Sequence, residues 1–239
     1  MNWSDDGIIL GGRRFGEGGL ILDVLTSQRG RRSGLVYGGA SRKRRAQYEA
    51  GNTVALAWSG RLDEQLGRFD VAESRRERAS RLLEDPAALS AVSAITSILR
   101  ASMNEGDAAG SNLYEATVLL LDELEHPDVW PALYVRWELG LLSALGFGLD
   151  LEECANDGLT HVSPKTGRAV RGSEAEQYVD RLLALPDFLM RPAAALQRGD
   201  IAAGLRLTGH FLENRLFAAV HRGVPQERER LVLRLLSKP

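Results

Sequence analysis

Four cations stand side by side at Arg42, Lys43, Arg44 and Arg45, in the stretch GGASRKRRAQYEAG. Such an array can grip phosphate, because an arginine fork offers two parallel N–H donors to phosphate oxygens and a lysine adds a point charge. A run of like charges also repels itself and resists burial, so a solvated loop is the competing reading. The wider window weakens that second reading. Between Asp23 and Glu49 there is no acid, while Arg29, Arg31, Arg32 and the run make seven cations that stand unopposed along the chain. Residues 1–60 carry nine Lys/Arg against five Asp/Glu and the remainder carries 21 against 27, so a chain of net charge −2 is +4 in front and −6 behind.

The elements that must carry these residues are strands. GIIL, GLILDVLT, RSGLVYGG, NTVALAWSG and LGRFDVAES are short, rich in Val, Ile, Leu, Tyr or Trp, and bounded by Gly, Ser, Asn or Asp. TSQRGRRSG supplies a hairpin turn, and the glycines of GRRFGEGG a tight turn between the first two strands. Five short strands in residues 1–78 predict a small closed barrel, and the five-stranded barrel is the OB-fold, whose members bind oligonucleotides or oligosaccharides. In that setting the basic run favours nucleic acid. Tyr37 ends the third strand just before the run, placed either to stack on a base or to sit half-buried. Arg13 and Arg14 are neighbours on the first strand, so their side chains take opposite faces and at most one shares the groove.

From residue 79 the period changes to helical. Asp85 and Pro86 open DPAALSAVSAITSILRASM, LYEATVLLLDELE follows, and DVWPALYVRWELGLLSALG is predicted with Asp128 as N-cap, Pro131 in the first turn and Gly146 as the stop. Arg136 and Glu138 are the charges in the body of that helix, which places it in the middle of a bundle. Residues 150–173 read as an irregular insertion. Asp200 is predicted to cap IAAGLRLTGHFLENRLFAAVHRG, and Pro225 opens QERERLVLRLLSK. The expected architecture is α+β in two domains, an OB-fold barrel over 1–78 and an all-helical domain over 79–239 with the insertion.

Other chemistry finds little support. His126, His161, His210 and His221 are scattered, with no HExxH spacing, and His210 and His221 fit a solvated helical face. GRRFGEGG lacks the Gly-Lys-Ser/Thr ending of a phosphate-binding loop, and no serine sits in a nucleophile elbow. The single Cys154, in CANDG, cannot form an internal disulfide and cannot build a Cys₄ zinc site, so no metal and no cofactor are expected, and a reducing cytoplasm suits the chain. The start MNWSDDGIIL has acids where a signal peptide needs cations, and VLLL at 118–121 is far short of the ~20 residues that span a bilayer, so no membrane partner is expected.

Two blocks carry a resemblance. GIILGGRRFGEGGLILDVLTSQRGRRSGLVYGGASRKRR resembles the opening of the RecO family of bacterial recombination mediators: a strand, a YGE-like turn, an LTxxxG hairpin and a KGARR-like basic loop, in that order. YVRWELGLLSALGFGLDLEECANDG is similar to the family's central helix, its LLxxLGxxxxLxxC ending and the zinc knob of some members, and HVSPKTGRAV stands where the family has a short SPxxG hairpin. The resemblance implies an OB-fold followed by a helical domain and a non-catalytic protein of the bacterial cytoplasm and nucleoid. Such a protein binds single- and double-stranded DNA, anneals complementary strands, and acts with RecR to load RecA onto DNA coated by single-stranded-DNA-binding protein (SSB). It also implies that the basic loop and the cations beside it contact DNA. Asp157 replaces a cysteine of the zinc pattern, so no metal site carries over.

The family's pocket for the SSB tail lies in the helical domain. An acidic tail ending in apolar residues calls for an apolar groove with a cation at its rim, which RLTGHFLENRLFAAVHRG could supply, with Arg206 and Arg215 as rim cations or as part of a solvated helix face. Two other classes stay open at this point: an RNA-binding OB protein, and a nucleic-acid-processing enzyme whose active site lies in the helical part.

Overall fold

The computed structural model describes residues 1–62, 66–107, 110–151, 159–171, 179–191 and 194–237. Cys154 and Asp157 lie outside the described residues. The chain packs as two compact units, Met1–Pro127 with Pro225–Arg234, and Asp128–Val224 with Leu235–Pro239.

The first unit is built on a closed barrel of five strands: β1 (Asn2–Phe15), β2 (Gly19–Thr26), β3 (Gly30–Val36), β4 (Thr53–Ser59) and β5 (Gly67–Arg76), in the order β1-β2-β3-β5-β4. All pairs are antiparallel except β3 with β5, where Gly34 meets Gly67 and Leu35 meets Arg68. The first strand is longer than the expected GIIL. Its front half pairs with β4, from Asn2↔Ser59 to Ile8↔Thr53, and its back half with β2, from Gly7↔Thr26 to Phe15↔Gly19. Asp5 and Asp6 lie inside this strand, and Asp5 accepts hydrogen bonds from Ser27 Oγ at 2.5 Å and from the Gln28 amide at 3.0 Å, fixing the β2–β3 turn.

Alternate residues of the strands fill the barrel with Ile9, Leu22, Val24, Val36, Val54, Leu56, Trp58 and Phe69, with Tyr48 beside them. Trp58 stacks on Trp3 with centroids 5.6 Å apart and planes 8° from parallel. The other surroundings of the Trp58 indole need glycine: a Cβ on Gly67 would lie 2.2 Å from Trp58 Cε2, and one on Gly60 2.4 Å from Cη2. Gly67→Ala is therefore expected to destabilise the protein by about 2 kcal/mol or more through overpacking, read as a fall in the urea midpoint. An unshifted midpoint would show that Trp58 can move aside.

Helices α1 (Pro86–Ser102) and α2 (Gly110–Glu123) pack back onto the barrel, α1 against β1 and α2 against β2 and β3. Asp85 caps α1 as expected, accepting from the amides of Ala87 and Ala88 at 2.8 and 3.1 Å. Tyr114 of α2 has its phenol pKa raised to about 12, by burial first and then by the carboxylates of Asp6 and Asp5, so it stays neutral. Helix α6 (Gln226–Leu236), preceded by Pro225, buries Arg228 and Leu231.

The second unit centres on α3 (Trp130–Ala144), whose Glu138 is fully buried and accepts from Thr208 Oγ1 at 2.5 Å. The N-cap is Val129, with no side-chain bond, in place of the expected Asp128; Gly146, at φ 85°, ends the helix as expected. Thr208 lies on α5 (Asp200–Phe211), which runs on through a π-helical turn, Leu212–Phe217. Asp200 is the first residue inside α5 and not its cap. Gly199 takes the cap position at φ 92°, and the Asp200 carboxylate accepts from the Gln197 amide at 2.8 Å.

This part was expected to be all-helical and also carries a three-stranded sheet, β7 (Ala169–Arg171), β6 (Leu159–Val162), β8 (Leu183–Ala184), next to the one-turn helix α4 (Asp187–Met190). Strands of two to four residues leave no period to read. The SPxxG segment forms the β6–β7 turn.

Candidate nucleic-acid interface

The basic loop is displayed between two anchors. β3 stops at Val36, Gly38 takes φ 66°, and Gly39 packs so closely that a Cβ there would lie 2.9 Å from Leu20 Cβ. The Ala40 amide then bonds Gly18 O at 3.3 Å, which ties the loop to the β1–β2 turn. At the far end a single 3₁₀ turn, Ala46–Tyr48, drops the Tyr48 ring into the barrel core. Between these anchors Arg42, Lys43, Arg44 and Arg45 are all exposed. Solvated cations held on a rigid base present charge to a partner at little ordering cost.

Arg13 and Arg14 are both exposed near the end of β1, beside that same turn. Alternation separates them, and Arg14 lines a cleft together with Arg45. Tyr37 lies one residue past β3 and is 64% exposed, so the half-buried alternative does not describe it. Its ring carries the Arg68 guanidinium at 5.4 Å. Arg68 reaches it through the β3–β5 pairing, Leu35↔Arg68, for which the sequence holds no local signal.

The acid-free window is divided by β3. Arg29, Arg31 and Arg32 sit at the β2–β3 turn, and six rises of a strand, roughly 20 Å, separate that end from Tyr37. Arg31 and Arg45 of the seven are opposed in the fold. Arg31 pairs with Asp23 at 3.0 Å, donates to Met103 O at 3.1 Å and keeps 20% of its side chain exposed. Arg45 faces Glu49 at 3.8 Å with 82% exposed. Counting acids along the chain misses the first pair because register creates it: Asp23 faces Ser33 and Leu25 faces Arg31, which makes Asp23 and Arg31 diagonal neighbours. Arg29 lies over the Trp3 ring at 5.2 Å, and Arg32 Nε donates to Arg29 O at 3.2 Å. The exposed cations Arg42, Lys43 and Arg44 lie at the Tyr37 end.

A barrel presenting a basic loop, followed by helices, matches known proteins along its length. The family model for the recombination protein O N terminal matches residues 1–78, and that for the recombination protein O C terminal matches residues 83–222. The chain belongs to the RecO family. It is 78% identical to the DNA repair protein RecO of Hyphomonas neptunium, with 98% of each chain covered. It is 46% identical to that of Rhodospirillum centenum, over 97% of this chain and 94% of the relative, and 44% identical to that of Phenylobacterium zucineum, over 98% of each. As a RecO-family protein the chain has a role in recombinational DNA repair. Among the described residues no helix is long and apolar enough to cross a membrane.

In the second unit of this RecO-family chain, Arg206 is exposed on α5, while Arg215 lies over the Phe211 ring at 4.7 Å and donates to Lys165 O at 3.2 Å. Arg215 thereby braces the β6–β7 turn, where a Cβ on Gly167 would meet its Nη1 at 2.9 Å. Leu205, Leu207, Phe211, Leu212, Leu216 and Phe217 of the same segment are buried. His210 is not on a solvated face: it is partly buried, its Nε2 bonds Pro164 O at 3.2 Å, and its ring meets Phe211 edge-on. His221 is exposed.

Proposed function

We propose that this RecO-family chain is a non-catalytic DNA-binding recombination mediator. It binds single- and double-stranded DNA, anneals complementary strands, and with RecR helps load RecA onto SSB-coated single strands at the nucleoid. The observation that carries the reading is the exposed row Arg42, Lys43, Arg44, Arg45, held between Gly39 and Tyr48 with Tyr37 open beside it. Cations there follow the phosphate chain and the tyrosine ring offers a stacking face. Residues 1–78 supply the DNA contact, with Arg13, Arg14, Arg29, Arg31 and Arg32 extending it. The helical part takes the acidic tail of SSB, with Arg206 and Arg215 as its cations.

The test is a salt titration of binding to a labelled single strand. If the four loop cations each neutralise one phosphate, log K falls against log salt with a slope near −3, at about 0.7 per contact. Replacing all four by Ala flattens the slope. An unchanged slope in a folded variant would move the site elsewhere. Equal or tighter binding of RNA in competition would favour the RNA-binding reading.

A further inference from the structure

We propose that the turn end of β3 is a second phosphate-binding surface, kept shut in the free protein by the acidic segment 104–107. The inference rests on the DNA-binding reading above and concerns a different part of the barrel from the basic loop. β3 pairs with β2 along its whole length, from Leu20↔Val36 to Thr26↔Gly30, whereas among the described residues its other edge meets β5 at Gly34 and Leu35 alone. The outer edge of Gly30–Ser33 would therefore stand open. The chain leaving α1 covers it as a strap. Arg31 and Glu105 form an isolated parallel bridge, the Gly106 amide donates to Arg31 O at 2.9 Å, and the Ser33 amide donates to Glu105 Oε1 at 2.6 Å. Gly30 permits the approach, since a Cβ there would lie 2.2 Å from Asp107 O.

The contact has the chemistry of an anion site occupied by the protein's own acid. A neighbouring strand would offer the Ser33 amide a carbonyl; here the Glu105 carboxylate takes that place. Arginines flank it. Arg31 Nη1 donates to Met103 O at 3.1 Å, and the Arg32 guanidinium lies across Gly106, with Cζ, Nη1 and Nη2 each 3.5 Å from where a Cβ would stand. A main-chain amide beside guanidinium groups is an arrangement that binds a phosphate oxygen. Asn104, Glu105 and Gly106 are exposed, and the sequence Asn-Glu-Gly-Asp has no apolar side chain to bury. Glu105 and Asp107 bring two acids to a turn that carries Arg29, Arg31 and Arg32. The strap is thus held by solvent-facing electrostatic contacts, which a polyanion displaces.

The experiment separates a displaceable strap from charge acting at a distance. The full chain is titrated with a labelled thymidine oligonucleotide. Glu105→Ala removes the carboxylate from the Ser33 amide and is expected to tighten binding by about threefold to tenfold. Glu17→Ala is the control: Glu17 is an exposed acid on the β1–β2 turn to which the basic loop is tied, so charge acting at a distance would make this change gain at least as much. Its effect is expected to stay within about twofold. The second readout is amide hydrogen exchange in the wild type. Saturating oligonucleotide is expected to speed exchange at Gly106 by about fivefold or more, because its amide must leave Arg31 O when the strap gives way.

No gain from Glu105→Ala, an equal gain from Glu17→Ala, or exchange at Gly106 unchanged or slowed by DNA would each overturn the strap and leave the DNA-binding reading standing. A wild type that fails to bind DNA overturns both.

Discussion

Reversing Arg44 and Arg45 to Glu is expected to abolish strand annealing. The double change removes two cations and adds two anions in the exposed basic loop, beside Glu49, so a phosphate chain would meet repulsion there in place of attraction. Losing about two phosphate contacts and gaining two repulsive ones amounts to a fall in affinity of roughly a hundredfold or more at physiological salt. Both side chains lie on the surface and neither reaches the barrel core, so the thermal midpoint should hold. The measurement is annealing of two complementary labelled strands with no nucleotide or metal added. Annealing at the wild-type rate would show that the loop is solvation only.

The second large effect concerns stability. Arg78 is 5% exposed and ends the barrel sequence by tying three elements together. Its side chain donates to Gly51 O at 2.9 Å, to Thr53 Oγ1 at 2.8 Å and to Asp122 of α2 at 2.7 Å, while its amide donates to Asn52 Oδ1 at 2.9 Å. Arg78→Ala strips the buried acceptors of their donor and opens a cavity under the stem. Asp122 keeps Arg76, at 2.6 Å, which limits the loss. The expected cost is about 3 kcal/mol, seen as a lower urea midpoint at nearly constant m-value. A loss below about 1 kcal/mol would mean that water replaces the guanidinium at little cost.

Much of the barrel is legible in the sequence because its strands are short apolar runs bounded by Gly, Ser, Asn or Asp, even though helices cover β1 and β2 so that 7–10 and 21–26 are buried without a break. What escapes is set by partners distant in sequence. The front of β1 lies outside the apolar run GIIL, and its Asp5 finds its partners, Ser27 and Gln28, only in the β2–β3 turn. The pairing of Arg31 depends on the register of β2 with β3, and the approach of Arg68 to Tyr37 on a parallel contact between β3 and β5. Helix starts show the same limit. Asp85 caps α1 by a local bond, whereas Asp128 and Asp200 fit the local rule and a neighbouring residue takes the cap.

The double pairing of β1 bears on how the barrel forms. The meander from the back of β1 through β2 to β3 joins residues close in sequence, and its turns close short loops at small entropic cost. The front of β1 must wait for β4, and Asn2 meets Ser59 only after the whole basic loop has been enclosed. High contact order at this one seam makes it a slow step of folding. Until it closes, the front of β1 and β4 are open edges, the strands most exposed to pairing with another chain. The positively charged loop lies within the stretch that this seam spans, and like charges on it add repulsion between chains that meet while the edges are open.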